Sequence, residues 1–579
     1  MGGFEYIREI ARKPYVLYGY MYSNGISPSQ AAGLKKTGVL SVAKWTRIKE
    51  VNPADPVPAG EEIFRLECSS CHTLNGYNAI SSKIRSMTER GIEAQLTGQG
   101  SVRTYMPPFF GNELEKKALA AYLNKSINGR EPYQLSDYDP PAETHTVPSF
   151  NAGRDEYVLL VWNDLGMHCL SDNDKYFVFL PPANTLNAQL FKRGDKPRII
   201  TSGVKLVYEV EEPYRNPEKH VRFWDYAEKN FGVKLETGVG LAGKRVVGEF
   251  DIKGNHFAAD LIPVTPYRDN LPFNPYPLFT VKAIEEKSGR VLMETKAVAP
   301  NSTEMGCRNC HGGSWRVDNV SGVSDETAMN ILAIHDKNEK TTLLADASAG
   351  NPRLCQSCHE DPALGAAGKS NVLNFSSAMH GFHANYMKGL DDNACNLCHP
   401  SRPKGNTACM RGRHTDVGVT CVECHGKIED HALALLKNEK NRGKKPADRL
   451  MANLSPTAVD TIGKINPRMP WITEPDCKSC HTNFDIAKDG WEGGAYNQWV
   501  PGFDALYRNR ADNQGVMCIA CHGSTHAIYP AVNKYDKDRD NIQSIQYQGV
   551  AGTIGTRKNC KVCHIKKMTT NGHHRNMVK

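Results

Sequence analysis

The sequence predicts a multidomain chain. A small α-helical unit comes first and a β-sandwich-like unit follows. A long C-terminal region of short helices and loops then packs round bound cofactors. Three observations predict this. The pattern Cys-x-x-Cys-His occurs once near the N-terminus and seven times between Cys307 and His564. Residues 151–300 contain no such motif and are rich in β-branched and aromatic residues between Gly- or Pro-marked breaks. Residues 55–125 surround the first motif with apolar residues at helical spacing.

The eight motifs are Cys68/Cys71/His72, Cys307/Cys310/His311, Cys355/Cys358/His359, Cys395/Cys398/His399, Cys421/Cys424/His425, Cys477/Cys480/His481, Cys518/Cys521/His522 and Cys560/Cys563/His564. Each reads as a c-type haem attachment site: two thiols make thioethers to the vinyl groups, and the next residue brings its imidazole under the iron. Structural zinc would vary the His spacing and need a second ligand pair close by. A disulfide framework would not place His after every second Cys. The expectation is eight haem c groups, a multihaem cytochrome c.

Covalent haem attachment takes place outside the cytoplasm, so an exported, periplasmic or extracellular protein is expected. The opening residues MGGFEYIREIARKPYVLYGYMYSNGI have charges where a signal peptide has its apolar core. Residues 1–54 instead read as an arm that mixes basic residues with Tyr15, Tyr18, Tyr20 and Tyr22. Such an arm suits a membrane surface or a membrane partner, or packs on its own domain. No apolar run approaches a membrane span. The formal net charge of +8 belongs to the bare polypeptide, and haem propionates lower it. Lys and Arg are spread along the chain without a nucleic-acid module, so nucleic-acid binding is excluded.

In residues 55–125, Ile63, Phe64 and Leu66 precede the first motif, and NELEKKALAAYLN follows it as a helix with Asn112 and Glu115 as a capping pair. Between them stands Tyr105-Met106-Pro107-Pro108-Phe109. This unit resembles the monohaem class I cytochromes c, and the resemblance implies Met106 as sixth iron ligand. Residues 126–150 turn Pro-, Asp- and Ser-rich and read as an extended linker.

Residues 151–300 read as a haem-free β-rich domain whose last two strands form a hairpin across Lys287-Ser288-Gly289-Arg290. It opens with Asn163-Asp164-Leu165-Gly166-Met167-His168-Cys169, which is similar to a stretch in large multihaem cytochromes of metal-reducing and related bacteria. His168 and Cys169 are either ligands of a haem or separate metal, or buried structural residues. The acidic stretches at Asp172 and at Asp536, Asp538 and Asp540 lack the full calcium-loop pattern.

The heptahaem region, 301–579, has roughly one motif per 37 residues between Cys307 and His564. So few residues cannot build an apolar core round each cofactor, so the porphyrins themselves must form the core. The distal-ligand candidates are His335, His380, His383, His414, His431, His526 and His574, the last chosen over His573. His380 and His383 share a helix face and so suit two neighbouring irons. His526 lies four residues after His522 and so suits a neighbouring iron rather than its own. These assignments are supported by the similarity of MHGFHA, CNLCHP, GVTCVECHG and CHGSTHAIYP to the bacterial multihaem family.

Bis-His ligation gives low potentials and His/Met a higher one. The expected function is therefore electron transfer between a membrane-bound quinol-linked complex and a periplasmic or extracellular acceptor. The N-terminal haem would be the exit, or a mobile shuttle. Two other readings stand beside it. One is an octahaem oxidoreductase acting on a small nitrogen or sulfur compound at a five-coordinate haem, with Cys409 beside the site. The other is a homo-oligomer, a polymeric cytochrome filament. No catalytic residue is assigned.

Overall fold

The computed structural model describes residues 2–568 apart from 12–18, 23–24, 103–104, 132–139, 141, 271–272, 318, 391–392, 402–404, 483–493, 501 and 557–558. His573, His574, Tyr15 and Tyr18 therefore lie outside the described residues. Among the described residues no helix is long and apolar enough to cross a membrane.

The first unit is helical, as its periodicity requires. The helix Glu113–Tyr122 starts with the expected box: the Asn112 side chain accepts from the Glu115 N–H, and the Asn112 N–H donates to the Glu115 carboxylate. The same carboxylate also accepts the Val39 and Leu40 N–H groups, each at 2.9 Å. One buried acid thus ties the arm, at Val39 and Leu40, to the domain. The helix Val57–Ile63 crosses Glu113–Tyr122 at Gly60, where a Cβ would meet the Ala118 carbonyl oxygen at 2.0 Å. Only glycine permits that approach. Ile63, Phe64, Phe110, Leu119 and Leu123 fill the core between these helices.

The domain is docked against the C-terminal region rather than merely tethered to it, which replaces the mobile-shuttle expectation. Its helix Glu89–Gly98 begins at Thr88, whose N–H donates to the Cys310 carbonyl at 3.2 Å. Gly91 and Gly98 of that helix lie against the Cys310 backbone and the Tyr386 ring. The linker is pinned as well: the Glu143 N–H donates to the Tyr535 carbonyl, His145 pairs with Asp536, and Arg268 pairs with Glu143.

The middle unit contains two antiparallel sheets that share one core. In the first, Asn184–Lys192 lies between Tyr157–Asn163 and His256–Ile262, with Asp251–Lys253 and Arg198–Ile199 completing it. In the second the order is Val291–Val298, Leu278–Glu285, Val204–Val210, Val247–Glu249. The hairpin expected at residue 287 joins Leu278–Glu285 to Val291–Val298. Alternation decides which residues face inward: Val204, Leu206, Tyr208 and Val210 are buried and their neighbours are not.

This core is completed from far along the chain. Met517, Ile519, Ala520, Tyr547 and Val562 belong to the same cluster. Gln189, inside the first sheet, accepts the Met517 N–H at 3.0 Å and donates to the Gly515 carbonyl at 2.8 Å. Arg193 holds the Val562 and Lys561 carbonyls at 2.8 and 2.7 Å. The sheets therefore act as the frame on which the last motifs are mounted. Elsewhere the described part of the C-terminal region is built of short helices, loops and one small hairpin of Trp315–Val317 with Ser321–Val323, the longest helices being Asp325–Glu339, Ile428–Asn441 and Phe375–Met387.

Candidate haem-binding sites

Each C-terminal motif folds as a single tight turn. The backbone N–H of the motif His donates to the carbonyl of the first Cys in His311, His359, His399, His481 and His564, at 2.8–3.1 Å. That turn places both thiols and the imidazole on one side. At His311, His425 and His522 the turn ends at a Gly with positive φ, Gly312, Gly426 and Gly523, a conformation that other residues adopt only with strain.

The first motif makes the same turn, with the His72 N–H on the Cys68 carbonyl at 2.9 Å and the Cys71 N–H on it at 3.1 Å. Its two thiols are not held alike. Burial raises the Cys68 thiol, and then Glu67 and Cys71 raise it further. Cys71 is half-buried between the exposed Ser70 and the exposed Thr73. The Ser70 hydroxyl is 3.8 Å from the Cys71 sulfur, and the Asn78 side chain donates to the Cys71 carbonyl at 2.7 Å. Cys68 packs on the rim of the domain core, and Cys71 is not part of that cluster. Both cysteines are half-buried, and they differ in what surrounds them. The reason is local: Cys68 closes the helical segment Phe64–Cys68, while Cys71 lies beyond it in an exposed turn. The assignment of Cys71 rests on the motif.

The ring nitrogens are arranged for a metal. The Nδ1–H of His72 donates to the Asn78 carbonyl at 3.0 Å, that of His359 to Leu373 at 2.9 Å, and that of His564 to Asp195 at 3.2 Å. On the distal side, His380 and His383 donate Nδ1–H to the Ser376 and Met379 carbonyls at 2.9 and 2.7 Å. His335 Nδ1 is 3.0 Å from the Thr341 hydroxyl, whose proton goes to Asp336. A carbonyl only accepts, so the proton sits on Nδ1 and the Nε2 lone pair is free to bind iron. His168 is different: its Nε2 lies 2.7 Å from the Asp164 carboxylate, which already engages that nitrogen.

Pairing distances give the second test of fit. A bound imidazole nitrogen lies about 2.0 Å from its metal and about 1.1 Å from its ring centre, so two imidazoles across one metal have centres about 6.2 Å apart. His311 and His383 are 6.4 Å apart, His335 and His359 6.5 Å, His380 and His399 6.1 Å, His414 and His481 6.0 Å, and His425 and His526 6.3 Å. Five motif histidines thus each face a distal candidate at metal-bridging separation. His431 is 5.7 Å from His425 and 4.5 Å from His380, which makes it a competitor of His526. Met106 is 37 % exposed, in the loop held by the Gln99 side chain on the Pro107 carbonyl. His574 lies outside the described residues.

His526 reaches its neighbour by a different route from the one its spacing suggests. The helix Cys518–His522 stops at Gly523, so His526 is not on the helix of its own motif.

Burial keeps His311, His425 and His526 in the neutral form. It pulls His311 down to about 4, helped by His383, and His526 down to about 4, helped by His399. His425 is held well below the usual range by burial and then by Arg468, whose Nη1 donates to His425 Nδ1 at 3.1 Å and to His431 Nδ1 at 3.5 Å, which leaves the proton of the neutral ring on Nε2, the opposite tautomer to that of His359 and His380. Arg468 carries no motif signal in the sequence, and only the fold identifies it.

The thiols reveal which motifs are neighbours. Burial raises the Cys398 thiol first, and then the charges on Cys307 and Cys310 raise it further. Cys395 is raised by a hydrogen bond with Cys421 and then by burial. Cys424 is pushed up to about 12 by burial, then by Cys480 and Cys477. Cys477, at about 11 chiefly from burial, also feels Cys518, and Cys521 feels burial and then Cys563. From Cys307 the spatial order therefore follows the sequence through Cys395, Cys421, Cys477 and Cys518 to Cys560. Cys355 packs with Cys307 round one apolar cluster.

All seven C-terminal motifs and the six described distal histidines of this region line one continuous cavity of ≈ 4020 Å³. Cys68, Cys71, His72 and Met106 stand apart from it, in the first unit. Ordinary ligand pockets are about 300–1,000 Å³. A cavity this large, walled by thiol pairs and opposed imidazoles, fits several covalent haems. Among the described residues no group of three or more His, Cys, Asp or Glu is arranged to hold a bare metal ion.

No curated protein and no solved structure matches the chain. Residues 55–123 match the family model of cytochrome c oxidase, cbb3-type, subunit III. The first unit is accordingly a cytochrome c-like domain, a haem c domain of the kind that performs electron transfer.

Proposed function

We propose that the chain is a multihaem cytochrome c carrying eight covalent haems, and that it relays electrons between a membrane quinol-linked donor and a periplasmic or extracellular acceptor. The observation that carries this reading is the set of five opposed imidazole pairs at 6.0–6.5 Å, threaded along one cavity. Haem iron supplies one-electron redox chemistry, and the chain's part is to fix ligands, spacing and exposure. Two strong axial ligands at a site favour electron transfer over substrate binding, because they leave no open position.

The neighbour order of the motifs supports a route from the Cys560 end to the Cys307 end, where the cytochrome c-like domain docks. With Met106 as its sixth ligand, the N-terminal haem has the higher potential and is the exit. The β sheets hold the motifs rather than take part in redox.

Intact mass and pyridine haemochrome absorbance of the purified protein should give eight haems per chain. EPR of the ferric protein should show low-spin iron only. A stoichiometric high-spin signal that responds to nitrite, hydroxylamine or sulfite would replace this reading with that of an oxidoreductase. A haem-resolved titration placing the N-terminal haem lowest would reverse the route.

A further inference from the structure

We propose that Cys169 and Cys409 form a thiol–disulfide pair at the wall of the haem cavity, a two-electron centre beside the one-electron carriers. The chain has 18 cysteines and the eight motifs use 16, so these two are the ones not assigned to haem. Both line the cavity. The proposal rests on the reading of the surrounding motifs as haem sites.

The fold clasps their two segments together. Cys169 pairs in parallel register with Ser302. The Ser302 hydroxyl donates to the Thr407 hydroxyl at 3.1 Å, and the Glu304 carboxylate accepts the Asn406 and Thr407 N–H groups at 3.1 and 2.7 Å. On the far side, Arg411 Nη1 donates to the Gly166 carbonyl at 2.7 Å. Residues 166–169 and 407–411 are therefore fastened on both sides of the two cysteines, and burial, then the nearby Cys409 thiol, raise the Cys169 thiol. The Cys409 sulfur is 3.9 Å from His526 Nδ1, which puts it beside a distal-ligand position. A disulfide requires Cα atoms within about 7 Å, and the segments that carry the two cysteines are held side by side by these bonds.

On oxidation each thiol gives up its proton to solvent and one S–S bond forms. The two electrons reduce two ferric haem irons to ferrous. Reduction is the reverse, with two ferrous haems supplying the electrons and solvent the protons. The pair thus stores two electrons within reach of carriers that each hold one.

The test uses the full-length holoprotein, poised fully ferric with ferricyanide or fully reduced with dithionite, then denatured in iodoacetamide and mapped by mass spectrometry. The reduced protein should carry two alkylated cysteines, Cys169 and Cys409. The ferric protein should carry none and yield a cross-linked 169–409 peptide. Reductive titration of the ferric protein should take two more electrons per chain in the wild type than in Cys409→Ser, at equal haem content. Cys169→Ala serves if that variant does not fold. Two alkylated thiols in the ferric protein, a cross-link that survives dithionite, or equal electron counts would overturn the proposal. A haem count below eight with the cross-link behaving as expected counts against the octahaem reading instead and leaves the pair standing.

Discussion

The imidazoles of His380 and His399 lie 6.1 Å apart with their planes 10° from parallel, whereas those of His335 and His359 lie 6.5 Å apart at 84°. Either spacing admits one metal, but the ring planes differ. Parallel axial imidazoles both overlap the same iron orbital and split it from its partner, while perpendicular ones leave the two nearly degenerate. The ferric EPR spectrum should therefore contain a rhombic low-spin species and separate, strongly anisotropic ones. His311/His383, at 80°, belongs with the second group. His380→Ala should remove the most rhombic species and spare the anisotropic ones. If the anisotropic signals vanish instead, His380 serves a different iron.

Docking of the cytochrome c-like domain depends on Gly91. A Cβ there would meet the Cys310 carbonyl oxygen at 2.3 Å, and neither backbone can yield without moving its helix. Gly91→Val should cost about 1–3 kcal/mol at this contact by overpacking. Electron exchange between the domain and the rest of the chain should slow by at least tenfold in flash-reduction kinetics, while the absorbance spectrum stays unchanged. An unaltered rate would mean that this contact does not set the electron path.

Much of this architecture is legible in the sequence where one local rule decides. The Asn112/Glu115 box, the hairpin at residue 287 and the helix bearing His380 and His383 follow from capping, turn chemistry and spacing. The pairing of motifs with distal histidines does not follow, because it is set by contacts between segments far apart in the chain. His414 comes to His481, and His526 to His425, through loops whose course no period records. Arg468 between His425 and His431 is equally silent. The different surroundings of Cys68 and Cys71 are silent too, since the motif treats its two thiols as equivalent and only the end of the helical segment separates them. The β unit is recognisable by composition, but its role as a frame rests on Gln189 and Arg193 reaching residues more than 300 positions away. His526 does stand beside a neighbouring motif, although the helical premise fails at Gly523.

Arg411 and Asp540 form an ion pair at 2.8 Å with side chains 1 % and 3 % exposed. Arg411 also lies over the Tyr276 ring, and Asp540 also accepts from Asn533 at 2.9 Å. A buried charge that loses its partner is costly, whereas replacing both partners by apolar residues of similar size is often tolerated. Asp540→Ala should therefore destabilise the fold by about 3–5 kcal/mol, measured by denaturant unfolding. Arg411→Met combined with Asp540→Leu should recover most of that loss. A single variant within about 1 kcal/mol of the wild type would mean that water reaches the pair.

Asp174 should make stability fall as pH rises through the neutral range. Burial, and then the neighbouring Asp172, push its carboxyl up to about 8, and its Oδ2 has no hydrogen-bond partner among the described residues. The folded state therefore keeps the proton up to about pH 8, while the unfolded chain releases it near the ordinary value of 3.8. Between those values the folded state binds more protons, so stability decreases with rising pH, by at most about 1.4 kcal/mol per unit, and is flat above the folded value. Asp174→Asn keeps the shape of the protonated acid and cannot ionise. Unfolding at pH 5 and pH 8 should show the variant gaining on the wild type by a few kcal/mol at the higher pH. Equal differences at the two pH values would mean that Asp174 is ionised in the folded protein and that its burial is offset by a cation.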